Sequence, residues 1–251
     1  MKRARQAIIL PDIHHDEHDR KAVRAVFNYI KQNREIVDWV VLLGDNMNCE
    51  NISRHNKGKP RLKSRGGLQR DFDSFREDIL DPIESIVKST TRKVFFKGNH
   101  EDWLEQWFDE NPEFEGAFSF ENNLKLDNWI VIEQGDSYKV GKAFLLHGDQ
   151  IGSGMHVSKK LVDSYCATAI MGHVHTAGMH TKMGDAKRGD KWVGYTLPTL
   201  GTLAPRYAKG RPNAFVNGFG IIEVWDNDYV NVYVPIIIDG RFTYGGSEYR
   251  G

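Results

Sequence analysis

The chain has 251 residues, 40% of them hydrophobic, and its 34 Lys and Arg balance 34 Asp and Glu, giving a formal net charge of zero. That length and apolar content can bury a core as one domain over 1–251, and the charge balance excludes a global attraction to polyanions or anionic membranes. Cys49 and Cys166 are far apart and form no CxxC, the first apolar stretch ends at Leu10, too short for a signal peptide, and no run approaches the roughly eighteen apolar residues of a membrane span, so a soluble, reduced, cytoplasmic protein is expected.

In chain order, Ala7 to Leu10 is a short apolar run stopped by Pro11 and reads as a strand. A helical stripe follows over 20–32, with Ala22, Val23, Val26, Phe27 and Ile30 on one face. Val37 to Leu43 is a second apolar run, stopped by Gly44. A strand, helix, strand opening favours parallel pairing and a covered sheet. Leu68, Phe72, Phe75, Ile79, Ile83 and Ile86 predict a helix over 68–87 that Pro82 kinks or splits. Lys93 to Phe96 is a third buried strand, and Trp103, Leu104 and Trp107 suit a short helix. Trp129 to Ile132, Ser137 to Val140 and Ala143 to Leu146 read as strands, His156 to Tyr165 as a helix and Ala167 to Met171 as a strand leading into Gly172. The remainder is β in character, over 178–183, 192–197, 218–225 and 228–237. An α/β half followed by a mostly β half suggests two packed sheets with helices outside.

Seven metal-ligand-type residues occupy five stations, nearly all placed where an apolar run ends: Asp12 and His14, Asp45, Asn99, His147, and His173 with His175. Asp12 and His14 share one face of an extended segment, because strand side chains alternate. Asp45 could bridge two cations through its two oxygens. In an open α/β sheet, ligands gather where strands end. Oxygen and imidazole donors without thiolates favour Mn²⁺, Fe, Zn²⁺, Co²⁺ or Ni²⁺ over a structural zinc cage, with Mn²⁺ the first expectation. A pair of such ions is the usual clamp for displacement at phosphorus.

The ordered set Asp12-x-His14, Gly44-Asp45, Gly98-Asn99-His100-Glu101, His147 and Gly172-His173-x-His175 resembles the calcineurin-like metallophosphoesterase superfamily over residues 12–175. The resemblance implies a four-layer α/β/β/α sandwich of two mixed β-sheets flanked by helices. It implies Asp12, His14 and His175 on one metal, Asn99, His147 and His173 on the other, and Asp45 as the bridge. His100 matches the histidine that contacts phosphate and can protonate the leaving oxygen. The implied activity is hydrolysis of phosphate esters by a metal-activated water. The phosphoprotein phosphatases of the family carry Gly-Asp-x-x-Asp-Arg-Gly, whereas this chain has Asn48 and Cys49 in that stretch. Asn48 is expected to orient His100 by hydrogen bonding, without the charge that would raise its pKa. This favours a phosphodiesterase acting on nucleotides or nucleic acid over a phosphoprotein phosphatase. A phosphomonoesterase or nucleotide pyrophosphatase with the same centre is the alternative, and a non-catalytic docking scaffold is the alternative of another class.

Six basic residues, Arg54, Lys57, Lys59, Arg61, Lys63 and Arg65, follow Asp45 with no acidic residue among them. They form either a cap over 49–67, in which Arg54, Arg61 and Arg65 attract phosphate, or an ordinary solvated loop. Arg206 is a further candidate phosphate contact. Trp103, Trp107 and Phe108 fit the core face of an amphipathic helix better than base stacking. Asp149 either orients a ligand or caps a turn, and His15, His18, His55, His156 and His180 carry no motif.

Overall fold

The computed structural model describes residues 4–59, 66–114, 116–185, 187 and 189–251. Alternation along the first strand divides these residues into layers. In β1 (Arg5–Leu10), Ala7 and Ile9 face one side and Ile8 and Leu10 the other, and all four are fully buried. Only a strand covered on both faces can bury consecutive apolar residues in this way.

Among the described residues, β1 lies in a six-stranded sheet with parallel neighbours β2 (Val37–Leu42), β3 (Arg92–Phe96) and β4 (Ile130–Ile132), and on its other edge antiparallel β11 (Gly220–Val224) and β12 (Val230–Tyr233). The second sheet runs in the order β5 (Ser137–Val140), β6 (Ala143–Leu146), β7 (Thr168–Met171), β9 (Lys191–Thr196) and β8 (Gly178–Met183), with β6, β7 and β9 parallel.

Ala7, Ile9, Val41, Val94 and Phe96 meet Val140, Leu145 and Ile170 in the core between the sheets. The outer face of the first sheet, through Ile8, Val40, Leu42 and Phe95, packs on α1 (Arg20–Gln32), α2 (Gly67–Phe75), α3 (Asp81–Ile86) and α5 (Phe120–Leu124). The second sheet is covered by α6 (Val157–Tyr165), whose Val157 and Leu161 pack on Ala169 and Met171. The architecture is the four-layer α/β/β/α sandwich of two mixed sheets.

Several expectations need revision. The stripe over 68–87 is interrupted before its proline: α2 passes into a π-helical segment, Arg76–Leu80, and Pro82 sits in the first turn of α3. Proline is tolerated there because its missing N–H is one the helix would leave unbonded. The segment 228–237 is two strands, β12 and β13 (Ile236–Ile237), divided at Pro235. α5 and a C-terminal hairpin, β14 (Arg241–Tyr244) with β15 (Ser247–Arg250), were not anticipated. The hairpin turns through Gly245 and Gly246, both at positive φ, and seats Phe242 and Tyr249 on Tyr29 of α1. No described helix is long and apolar enough to cross a membrane.

Candidate metal centre

The parallel strands bring the five stations together. Asp12 and His14 follow β1, Asp45 follows β2, and Asn99 and His100 follow β3. His147 follows β6, and His173 and His175 follow β7. Each segment leaves its sheet at a C-terminal strand end, where ligand sites of α/β sheets form.

Five of the seven candidate ligands hold left-handed backbone: Asp12 at φ 46°, His14 at 49°, Asp45 at 46°, His173 at 66° and His175 at 58°. Such conformations are costly for non-glycine residues and persist where the surroundings enforce them, as at functional sites. They turn the side chains inward from loops that would otherwise aim them at solvent. The flanking glycines allow close approach. A Cβ on Gly98 would overlap the Asp45 amide and carboxylate, and one on Gly172 would overlap the Asp12 carboxylate.

Two triplets of donor atoms match the expected ligand sets, Asp12 with His14 and His175, and Asp45 with His147 and His173, and a third, His14 with Asp45 and His100, lies between them, each within 4.8 Å. Asp45 joins them. Its Oδ1 lies 3.4 Å from His147 Nε2, and its Oδ2 lies 3.9 Å from His14 Nε2 and 3.8 Å from His100 Nε2. Asn99 is on the His147 side, its Oδ1 3.1 Å from Nε2.

Hydrogen bonds fix the imidazole tautomers. His147 Nδ1 donates to the Leu43 carbonyl at 3.0 Å, and His14 Nδ1 donates to Asn48 Oδ1 at 3.1 Å. Each neutral ring therefore turns a bare Nε2 into the cleft. His14 Nε2 faces His175 Nε2 at 3.0 Å, and His147 Nε2 faces two oxygens. At His147 an acceptor nitrogen is turned toward acceptor oxygens, which needs a proton or a cation between them, whereas the His175 ring can donate toward His14 or Asp12. The electrostatics say the same. Burial would lower His147, but the Asp45 carboxylate outweighs it and holds this imidazole up at about 10. Burial would raise Asp45, yet His100, His147 and His14 keep it well below the usual carboxylate range. Burial likewise opposes Asp12, and the adjacent His175 imidazole lowers it. His14 goes the other way, pushed down to about 3 by burial and then by His100 and His175. His173 Nδ1 is buried without a hydrogen-bond partner. These donors fit divalent cations: two groups of oxygen and imidazole ligands joined by one carboxylate.

Asn48 behaves differently from the expectation. Its side chain holds His14, accepting from Nδ1 and donating to the His14 carbonyl at 3.1 Å. His100 is oriented instead by the Asn48 main chain, Nδ1 donating to that carbonyl at 3.0 Å. Trp103 stacks on the His100 ring at 4.1 Å, so it is more than a core residue of α4 (Asp102–Glu110). Burial lowers the His100 pKa, against the pull of Asp45 and the Asn48 carbonyl.

Two of the candidate phosphate-binding arginines, Arg54 and Arg206, are among the described residues. Arg54 donates to Gln106 of α4 and lies in the wall of a different cavity. Arg206 is close to the centre, but its guanidinium is held by Glu17, Asp16 and Glu50. Arg61 and Arg65, with the rest of 60–65 in the basic cap, lie outside the described residues. Asp149 accepts from Gln134, and its other oxygen is buried without a partner. Glu101 was quoted only as part of a motif, yet it organises the site: fully buried, its carboxylate accepts from the main-chain N–H of Gly98, Asp45, Asn46 and Met47 at 2.8–3.0 Å. Its signal was its place, an acidic residue directly after a ligand loop.

Among solved structures the chain is similar to Vps29 of Chaetomium thermophilum, with 9% identity, a TM-score of 0.46, and 100% of this chain and 95% of that one covered. It is also similar to the purple acid phosphatase PPD1 from yellow lupin (Lupinus luteus) seeds, with 14% identity, a TM-score of 0.45, and 100% of this chain against 54% of that one. No curated protein matches the chain significantly. The family model of calcineurin-like phosphoesterases matches residues 7–186, which contain all seven candidate ligands, and the chain belongs to that family.

Proposed function

We propose that the protein is a dinuclear metal-dependent phosphodiesterase acting on nucleotides or nucleic acid, with 1–251 working as one metallophosphoesterase domain and manganese as the first candidate metal. The observation that carries this reading is Asp45, whose two oxygens face His147 at 3.4 Å and His14 at 3.9 Å, one toward each donor triplet. Asp12, His14 and His175 would hold one ion, Asn99, His147 and His173 the other. When bound, two divalent cations lower the pKa of water and neutralise charge on phosphate oxygens. His100 has its ring fixed by the Asn48 carbonyl and by Trp103, and Nε2, bare in the neutral ring, would give a proton to the leaving oxygen from the imidazolium form. A positioned acid contributes about 10²- to 10⁴-fold. The preference for diesters rests on Asn48 and Cys49, which stand where the phosphoprotein phosphatases of the family carry Asp-Arg, and on the basic run after Asp45. The two cysteines are free, in keeping with a cytoplasmic setting.

The test is hydrolysis of bis-p-nitrophenyl phosphate and p-nitrophenyl phosphate by protein loaded with Mn²⁺, Zn²⁺ or Fe²⁺. Faster turnover of the diester is expected. A monoester preference would favour the phosphomonoesterase, and metal binding without cleavage of either ester would favour the docking scaffold.

A further inference from the structure

Beside the metal centre, a cavity of about 280 Å³ opens next to His100. Trp103 and Tyr207 supply flat apolar wall, and Glu17, Glu50 and Ser53 supply polar wall. The volume is just under the roughly 300 Å³ at which small-molecule sites begin, so it suits one ring system and no more.

The chemistry of the lining narrows the occupant. Among the described residues, the Arg206 guanidinium is shared among Asp16, Glu17 and Glu50, so no free cation of this group is left to hold a second phosphate here. Ser53 is 4% exposed, and its hydroxyl has no hydrogen-bond partner. A buried hydroxyl left without a partner is unfavourable, and a ligand acceptor would satisfy it. The ionised carboxylates of Glu17 and Glu50 offer acceptor oxygens to the same space. An occupant must therefore present N–H donors and an acceptor on one edge, together with a flat face for the aromatic rings. An ammonium group has no acceptor, and a plain phenyl ring has neither. A nucleobase has all three features.

We propose that this cavity is a base-recognition pocket, taking a nucleobase with adjacent N–H donors and a carbonyl acceptor, guanine before the others, while the attached phosphate lies at the metal centre. The position of the phosphate rests on the phosphoesterase reading. The base pocket does not, because the cavity is complete without turnover. Glu50 and Ser53 are its specificity-determining residues: the carboxylate accepts the base N–H groups and the hydroxyl donates to the base carbonyl.

The experiment is calorimetric titration of manganese-loaded protein with guanosine 5′-monophosphate, uridine 5′-monophosphate and ribose 5-phosphate. The guanosine nucleotide is expected to bind about tenfold or more tighter than ribose 5-phosphate, the scale of one hydrogen bond to a charged group. Glu50→Gln and Ser53→Ala should each remove most of that advantage while leaving the ribose 5-phosphate affinity as the internal reference. Equal affinity for the three ligands overturns the proposal, as does a guanosine preference that both variants retain. Base-selective binding without cleavage of any ester would leave the pocket standing and remove the enzymatic reading. Ester cleavage without base selectivity would do the reverse.

Discussion

Glu101 Oε2 accepts a hydrogen bond from the main-chain N–H of Asp45 at 3.0 Å, so the loop after β3 grips the loop after β2 at its bridging residue. The same oxygen accepts from Gly98 at 2.8 Å, and Oε1 accepts from Asn46 at 2.8 Å and Met47 at 2.9 Å. Four buried donors thus converge on one carboxylate. Glu101→Gln must turn its NH₂ toward one pair of them, whichever way the amide flips. A loss of about 3 kcal/mol or more in stability is expected, since each unsatisfied buried donor costs about 1–3 kcal/mol. Denaturant unfolding of the variant checks this, and a loss below about 1 kcal/mol would show that the carboxylate does not organise the loops.

Asn48 makes a separable prediction, because its side chain and its carbonyl serve different histidines. Asn48→Ala removes the acceptor for His14 Nδ1 and keeps the carbonyl beneath His100. Metal affinity should fall by about 10- to 100-fold, the usual effect of losing a partner behind a ligand, while turnover at saturating metal recovers most of its value. Metal titration followed by saturated kinetics distinguishes the cases. Unchanged affinity with a large drop in turnover would mean that the amide acts on His100 after all.

His100 and Asp45 should divide cleanly. Asp45→Asn is expected to lose metal and turnover together. His100→Asn should retain metal and lose about 10²- to 10⁴-fold in turnover, the contribution of a positioned acid. Elemental analysis of both variants beside their rates is the check, and a fully active His100→Asn would remove His100 from the chemistry.

Much of this centre was legible before the fold was known. Apolar runs closed by Gly44 and Gly98 become parallel strands of the first sheet and the run closed by Gly172 a parallel strand of the second, and within each sheet such strands end at the same edge, which gathers residues far apart in sequence. Partners contributed by loops were not legible. The donors to Glu101 come from main chain that reaches it only after folding, and the amide of Asn48 turns toward His14 because the loop after β1 runs alongside. The grip of Glu17 on Arg206 spans 189 residues and leaves no periodic trace. The C-terminal hairpin was missed because Tyr249 is the only buried residue of β15, too faint a pattern beside exposed Ser247, Glu248 and Arg250.

In the metal-free protein two histidines of the centre contribute to stability in opposite senses as pH changes. His147, held at about 10, binds its proton more tightly in the folded chain than at its ordinary value of 6.5. Its contribution is complete below 6.5 and is lost as pH rises through about 10. His14, pushed down to about 3, resists protonation when folded, so stability falls as pH drops from 6.5 toward 3. Bound cations replace the His147 proton and should abolish the alkaline decline. Melting temperatures in chelator and in manganese test this. A metal-free melting temperature that climbs steadily from about pH 7 to about pH 9 would contradict it.

The bridge itself is open to direct observation by anomalous diffraction from manganese-soaked crystals. Two peaks are predicted, one beside each carboxylate oxygen of Asp45, with Asp12, His14 and His175 around the first and Asn99, His147 and His173 around the second. A single peak, or peaks that do not share Asp45, would contradict a dinuclear centre.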